Sequence, residues 1–139
     1  MHPDKIVIVI TGPPIAKARA RSFLKGTSIC LYDSQRKQKQ DVSMQMMSQV
    51  GVLPFGEPKY FEVDFQFYFP VPDSWSKAKK ADRMYDYHTV KPDIDNLQKF
   101  YMDAANGILW QDDKNISKIS CVKVYGENAK TIITFIGKN

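Results

Sequence analysis

From residue 60 to 69 the chain alternates without a break. Phe61, Val63, Phe65, Phe67 and Phe69 take one side, and Tyr60, Glu62, Asp64, Gln66 and Tyr68 take the other. A period of two belongs to an extended backbone, so the pattern predicts a half-buried strand with a dense aromatic face. A β-rich run over residues 5–11 predicts a core strand, and residues 27–32 predict another. Residues 116–125 and 130–136 read as two more strands, joined as a hairpin at Gly126-Glu127-Asn128.

Helical spacing occurs twice. Asp33-Ser34 offers a cap for a polar, methionine-bearing helix that runs to about Val50 and is closed by Gly51. Its expected core positions are Val42, Met46, Met47 and Val50. Further on, Ile94, Leu97, Tyr101, Ala104 and Ile108 recur at helical spacing and predict a buried stripe. Pro92 disfavours the α region for Lys91 and cannot donate a hydrogen bond, so an extended segment ends there. Asp93 then stands at the N-cap position, where a side-chain oxygen can accept orphan amide hydrogens. Asn106-Gly107 supplies the stop.

Between these elements lie a basic loop at residues 12–26, a connection at 51–59, and a long excursion at 71–88. That excursion carries a short basic helix at 75–83, with Lys77, Lys79, Lys80 and Arg83. It reads either as a solvated helix anchored by Trp75 or as a flap that tracks DNA, since loops of this length are often functional. The expected architecture is a single α+β domain over residues 1–139, a mixed β-sheet with about two main helices packed against it.

Composition narrows the class. At 139 residues, with 43% hydrophobic and 25% charged residues, the chain is of ordinary globular make-up and large enough for one core. A net charge of +5 favours a polyanionic partner. No apolar run is long enough to span a bilayer, and the first residues lack a signal-peptide pattern, so a cytoplasmic location is expected. Cys30 and Cys121 belong to no Cys/His cluster and are expected as reduced, buried thiols.

The chemistry concentrates in one window. Lys91-Pro92-Asp93-Ile94-Asp95-Asn96-Leu97-Gln98-Lys99 is followed by Asp103 and Asp112-Asp113. Crowded carboxylates repel one another unless a cation neutralises them, and hard divalent ions with oxygen ligands are the usual neutraliser. Asp95, Lys99 and Asp103 follow at i, i+4 and i+8, opposite the apolar stripe. If the chain turns at Gly107, residues 108–111 bring Asp112-Asp113 back beside the helix start. Singly, a capping Asp, an i,i+4 ion pair and an Asp-Asp turn are ordinary surface features. Together they read as a metal-dependent phosphodiester-cleaving site, in which bound ions activate water and clamp the scissile phosphate. His88, just before this window, reads as a hydrogen-bonded structural residue with a possible substrate contact.

These residues resemble the signature of the RusA family of Holliday-junction resolvases, which are often encoded by prophages. Gly12-Pro13-Pro14-Ile15-Ala16-Lys17-Ala18-Arg19-Ala20-Arg21 is similar to that family's basic, proline-containing loop, with Ala20 where proline is frequent. The resemblance implies a homodimeric endonuclease that uses Mg²⁺, with Mn²⁺ as a substitute, to make paired nicks in four-way DNA junctions. It implies that Asp93, Asp95 and Asp113 bind metal and that Lys99 is catalytic. Asp103 and Asp112 fall on acidic family positions and would orient ligands or bound water. Lys17, Arg19, Arg21 and Lys25 are the expected DNA cradle, contacting phosphates without reading bases. Two other readings stay open: a flap or single-strand nuclease on the same constellation, and a non-catalytic DNA-binding module.

Overall fold

The computed structural model describes residues 5–18, 21–26, 28–32 and 34–139, with the backbone alone for residues 21–23 and 30–32. Four strands form the main sheet: β1 (Ile6–Thr11), β4 (Tyr60–Pro70), β5 (Ile116–Gly126) and β6 (Lys130–Lys138), in the order β1-β6-β4-β5. A separate hairpin pairs β2 (Arg21–Lys25) with β3 (Ser28–Tyr32). The helices are α1 (Arg36–Val50), the short α2 (Lys77–Arg83) and α3 (Ile94–Ala105). The mixed α+β domain expected from the pattern is the fold observed.

The alternation in β4 is obeyed to the residue. Phe61, Val63, Phe65, Phe67 and Phe69 are buried in a core that also takes in residues of α1 and α3, while their neighbours stay half-exposed on the opposite face. Ile133 and Phe135 of β6 and Ile6, Ile8 and Ile10 of β1 complete the inner face. On α3 the buried set is Leu97, Phe100, Tyr101, Ala104 and Ala105, the i, i+3, i+4 spacing of a core-facing helix. Ile94, expected in that stripe, is exposed in the first turn. Trp110 is fully buried, and its Nε1–H donates to Asn106 Oδ1 at 2.9 Å, which holds the turn after α3.

Four further expectations are corrected. β5 and β6 are not a hairpin: β5 runs parallel to β4 and β6 antiparallel to it, so β4 lies between them. The aromatic face of β4 takes the central position, where both flanks are covered. The chain from β5 to β6 therefore passes over the end of β4 at Pro70. Gly126, where the crossing begins, leaves room for the neighbouring Tyr68 ring, since a Cβ there would stand 2.8 Å from Tyr68 Cδ1. Second, the expected loop at residues 12–26 contains strand β2, whose pairing with β3 turns at Gly26 with φ +65°.

Third, Met47 is exposed rather than in the core, because Met46 takes the central position and the next residue turns about 100° away. The face of α1 next to β1 carries Gln45 and Gln49 instead. Gln49 accepts from Val9 N at 3.1 Å and donates to Val9 O at 2.8 Å, and Gln45 accepts from Thr11 N at 3.2 Å. These side chains close an edge strand that would otherwise present unpaired backbone. Fourth, Gln35 rather than Ser34 occupies the N-cap position of α1, because its side chain is committed to the backbone of residues 16 and 18. Asp33, the other half of that expected cap, lies outside the described residues.

Candidate active site

The acidic window folds as a loop that runs into α3. Asp93 takes the N-cap position with φ −71° and ψ 142°, but its carboxylate makes no capping hydrogen bond. It turns instead to Lys91, whose Nζ lies 3.0 Å from Oδ1 and 3.1 Å from Oδ2. That departs from the expected capping role, and it leaves the carboxylate facing outward. Asp95, in the first turn, has Lys99 Nζ at 3.9 Å one turn along. Asp93, Asp95 and Lys99 are all exposed, beside the positive end of the helix dipole, where negative charge is stabilised.

A groove of about 830 Å³ opens in front of them, lined in part by His88, Lys91, Asp93, Asp95, Cys121 and Lys123. Lys123 is a residue that sequence reasoning missed. Its Nζ donates to the carbonyls of Val90 and Pro92, at 2.6 and 2.5 Å, and so ties β5 to the loop that carries Asp93. Burial draws this ammonium below the usual lysine range; the Asp93 charge opposes that shift and the Lys91 charge adds to it. No local motif marks Lys123, because its partners lie about thirty residues earlier in the chain.

His88 is buried, stacked on Phe69 with centroids 4.0 Å apart and planes 17° apart, and tilted against Tyr125 at 5.0 Å. Burial and then the Lys123 charge lower its pKa, so the ring is neutral at physiological pH. Cys121 is a free thiol that donates to Gln98 Oε1 at 3.3 Å; burial and then the Asp64 charge push it up to about 11. The Cys30 side chain lies outside the described part.

The remaining carboxylates gather elsewhere. Asp103 is held by Lys17 at 3.1 Å and Lys39 at 3.3 Å. Burial works against its charge, but the two lysines outweigh that and hold the carboxyl below its ordinary range. Asp112 and Asp113 stand side by side at the start of the 3₁₀ turn Asp113–Asn115, and their interaction lowers Asp112 and raises Asp113. The charges of Asp112 and Asp103 push Asp113 up further. Asp113 therefore belongs to the neighbourhood of Asp103, which stands about 12 Å along α3 from Asp95 at 1.5 Å per residue. Among the described residues, no three His, Cys, Asp or Glu side chains gather closely enough to hold a metal ion.

The N-terminal basic segment is clamped rather than loose. Lys17 N donates to Asn96 O at 2.9 Å, Ile15 N to Tyr101 Oη at 2.9 Å, and Ala18 N to Gln35 Oε1 at 2.8 Å. Lys25 is exposed at the tip of the β2–β3 hairpin. Arg19 lies outside the described residues, and Arg21 is described only as backbone in β2. On α2, Lys79 Nζ lies 4.4 Å from the Trp75 ring centroid, and Arg83 lies over both Trp75 and Tyr125. No helix among the described residues is long and apolar enough to cross a membrane.

The family model Endodeoxyribonuclease RusA matches residues 11–136, nearly the whole chain. The chain belongs to the RusA family. It is also 27% identical over 133 residues to "Uncharacterized protein YqaN" of Bacillus subtilis (strain 168), covering 91% of this chain and 92% of that one. RusA-family nucleases are generally dependent on a divalent metal. The donor set at the groove suits such an ion, because Asp93 and Asp95 are hard oxygen donors that open onto one space. Mg²⁺ usually takes only one or two carboxylates and fills its remaining positions with water and substrate phosphate.

Proposed function

We propose that this chain is a Mg²⁺-dependent endonuclease that resolves four-way DNA junctions by paired nicks, acting as a homodimer. The observation that carries this reading is the pair Asp93 and Asp95, exposed on one groove at the α3 N-terminus with Lys91 and Lys99 alongside. A divalent ion bound there supplies an activated water and a counter-charge for the scissile phosphate. Asp93 and Asp95 hold that charge in place. Lys123 fixes the loop backbone from which Asp93 projects, and Lys99 offers an ammonium to the nonbridging oxygens as charge builds on them. His88, neutral and stacked, supports the groove wall rather than moving a proton.

Asp113 is the third carboxylate of this reading. Within one protomer it leans on Asp112 and faces Asp103, so a second protomer is the natural source of an Asp113 for the Asp93–Asp95 groove. A two-fold dimer would also present two grooves to opposed strands of a nearly two-fold junction. Lys17, Lys25, Arg19 and Arg21 form the proposed phosphate cradle.

The test is cleavage of synthetic four-way junctions, flaps, single strands and linear duplex, with Mg²⁺ and with chelator. Metal-dependent, symmetric cutting of junctions alone is expected. Equal cutting of flaps or single strands would make the chain a broader nuclease, and binding of junctions without cutting would make it a DNA-binding module.

A further inference from the structure

The groove in front of Asp93 and Asp95 has a second wall, which the hydrolytic reading does not use. Tyr87 and Val90 are 66% and 60% exposed there, and Ile94 and Val122 continue the same apolar surface. The backbone carrying Tyr87 is pinned to the edge of β5. His88 N donates to Lys123 O at 2.9 Å, Tyr125 N to Asp86 O at 3.0 Å, and Tyr85 N to Tyr125 O at 3.1 Å. Tyr87 itself bridges to Val124. Tyr85 is held at φ +64°, an uncommon conformation for a bulky side chain, and His88 is locked between Phe69 and Tyr125. An aromatic ring is thus held out to solvent on a backbone fixed on either side of it.

One groove therefore joins three chemistries: a flat apolar wall, the cations Lys91 and Lys123, and an acidic pair suited to a metal. A nucleotide combines a flat apolar base with an anionic phosphate. We propose that the Tyr87–Val90 wall receives a nucleobase that has left its stack, next to the phosphate addressed by Asp93 and Asp95. Every base has a π face, so stacking on Tyr87 is indifferent to sequence. It does require an unstacked base, which a branch point offers and an intact duplex withholds. The wall then serves to select DNA structure rather than DNA sequence. This deepens the nuclease reading and rests on it.

The test uses the full chain in chelator, so that no strand is cut. Affinities are measured for a four-way junction, a short single strand and a linear duplex. Tyr87→Ala is expected to lose about tenfold on the junction and the single strand, but less than twofold on duplex. Tyr87→Phe, which keeps the ring, should stay within twofold of the unaltered chain on all three. A junction carrying 5-iododeoxyuridine at the branch point should, on irradiation, crosslink to Tyr87. Equal affinities for Tyr87→Ala and the unaltered chain would overturn the proposal while leaving the nuclease reading in place. So would an equal loss on duplex, a Tyr87→Phe loss as large as that of Tyr87→Ala, or a crosslink confined to other residues. A dimer that falls to monomer in Tyr87→Ala would assign the wall to a second copy of the chain instead. An unaltered chain that binds no DNA would overturn both readings.

Discussion

The two ends of α3 treat their carboxylates in opposite ways. At the N-terminal end, Asp93 and Asp95 are exposed, each is ion-paired with one lysine, and both open onto the groove. Toward the C-terminal end, Asp103 is clamped by Lys17 and Lys39 from two other elements, and Asp112 and Asp113 lean on each other nearby. Five aspartates that look alike along the chain thus divide by neutralisation. Asp103 spends its charge in joining the N-terminal segment and α1 to α3, while Asp93 and Asp95 keep theirs open to a cation. Counting carboxylates finds the neighbourhood of the candidate site, and their partners separate those left open to a cation from those already neutralised.

That division is most sharply tested by mixing variants. If Asp113 acts across a dimer, Asp93→Asn and Asp113→Asn chains, each inactive alone, should regain single-strand nicking when co-folded, because one of the two grooves in the mixed dimer is then intact. Gel analysis of nicked junctions reads this directly. No recovery in a confirmed mixed dimer would place all three aspartates in one protomer.

Next in size is Lys123→Met, which releases the Val90 and Pro92 carbonyls. We expect a loss of about tenfold in cleavage at limiting Mg²⁺, partly recovered at high Mg²⁺, and a smaller loss in Lys123→Arg. Titration of cleavage rate against Mg²⁺ checks this. A uniform loss at every Mg²⁺ concentration would make Lys123 a general structural residue.

A smaller effect belongs to the other end of the helix. The folded pKa of Asp103 is depressed, so its contribution to stability is present above its unfolded pKa, near 3.9, and is lost as pH falls through the folded value. The side chain is 35% exposed, so screening keeps that contribution to roughly 1 kcal/mol or less. Thermal melts between pH 7 and pH 3 should show Asp103→Asn with a lower Tm at pH 7 and a shallower fall toward acid. A melt profile identical to that of the unaltered chain would show the two lysine contacts to be energetically neutral. The smallest effect is expected at Cys121. A thiol pushed up to about 11 stays protonated at neutral pH, so Cys121→Ser should change junction cleavage less than twofold although the residue lines the groove.

What the sequence made legible follows from the range of the forces involved. The inner face of β4 and the centre of the α3 stripe, Leu97, Tyr101 and Ala104, are local periodicities, and both are readable. The Asp93–Asp95 pair was readable because the turn preceding a helix is itself a local signal. Partnerships between distant segments were not. The insertion of β4 between β5 and β6, the pairing of β2 inside an apparent loop, and the Lys39 and Lys123 contacts all join residues far apart in the chain. Met47 shows the finer limit: helical spacing groups it with Met46, and only the seating of Gln45 and Gln49 against β1 leaves it exposed.

We propose that Asp93 and Asp95 carry the metal-dependent chemistry of a junction-cutting nuclease. The most direct test of this assignment measures junction binding and junction cleavage on the same samples of the unaltered chain, Asp93→Asn and Asp95→Asn in Mg²⁺. Cleavage is expected to fall by on the order of 10²–10³-fold in each variant, with junction affinity equal or higher, since each removes a negative charge that faces phosphate. Full cleavage by either variant, or loss of binding in step with cleavage, would contradict it.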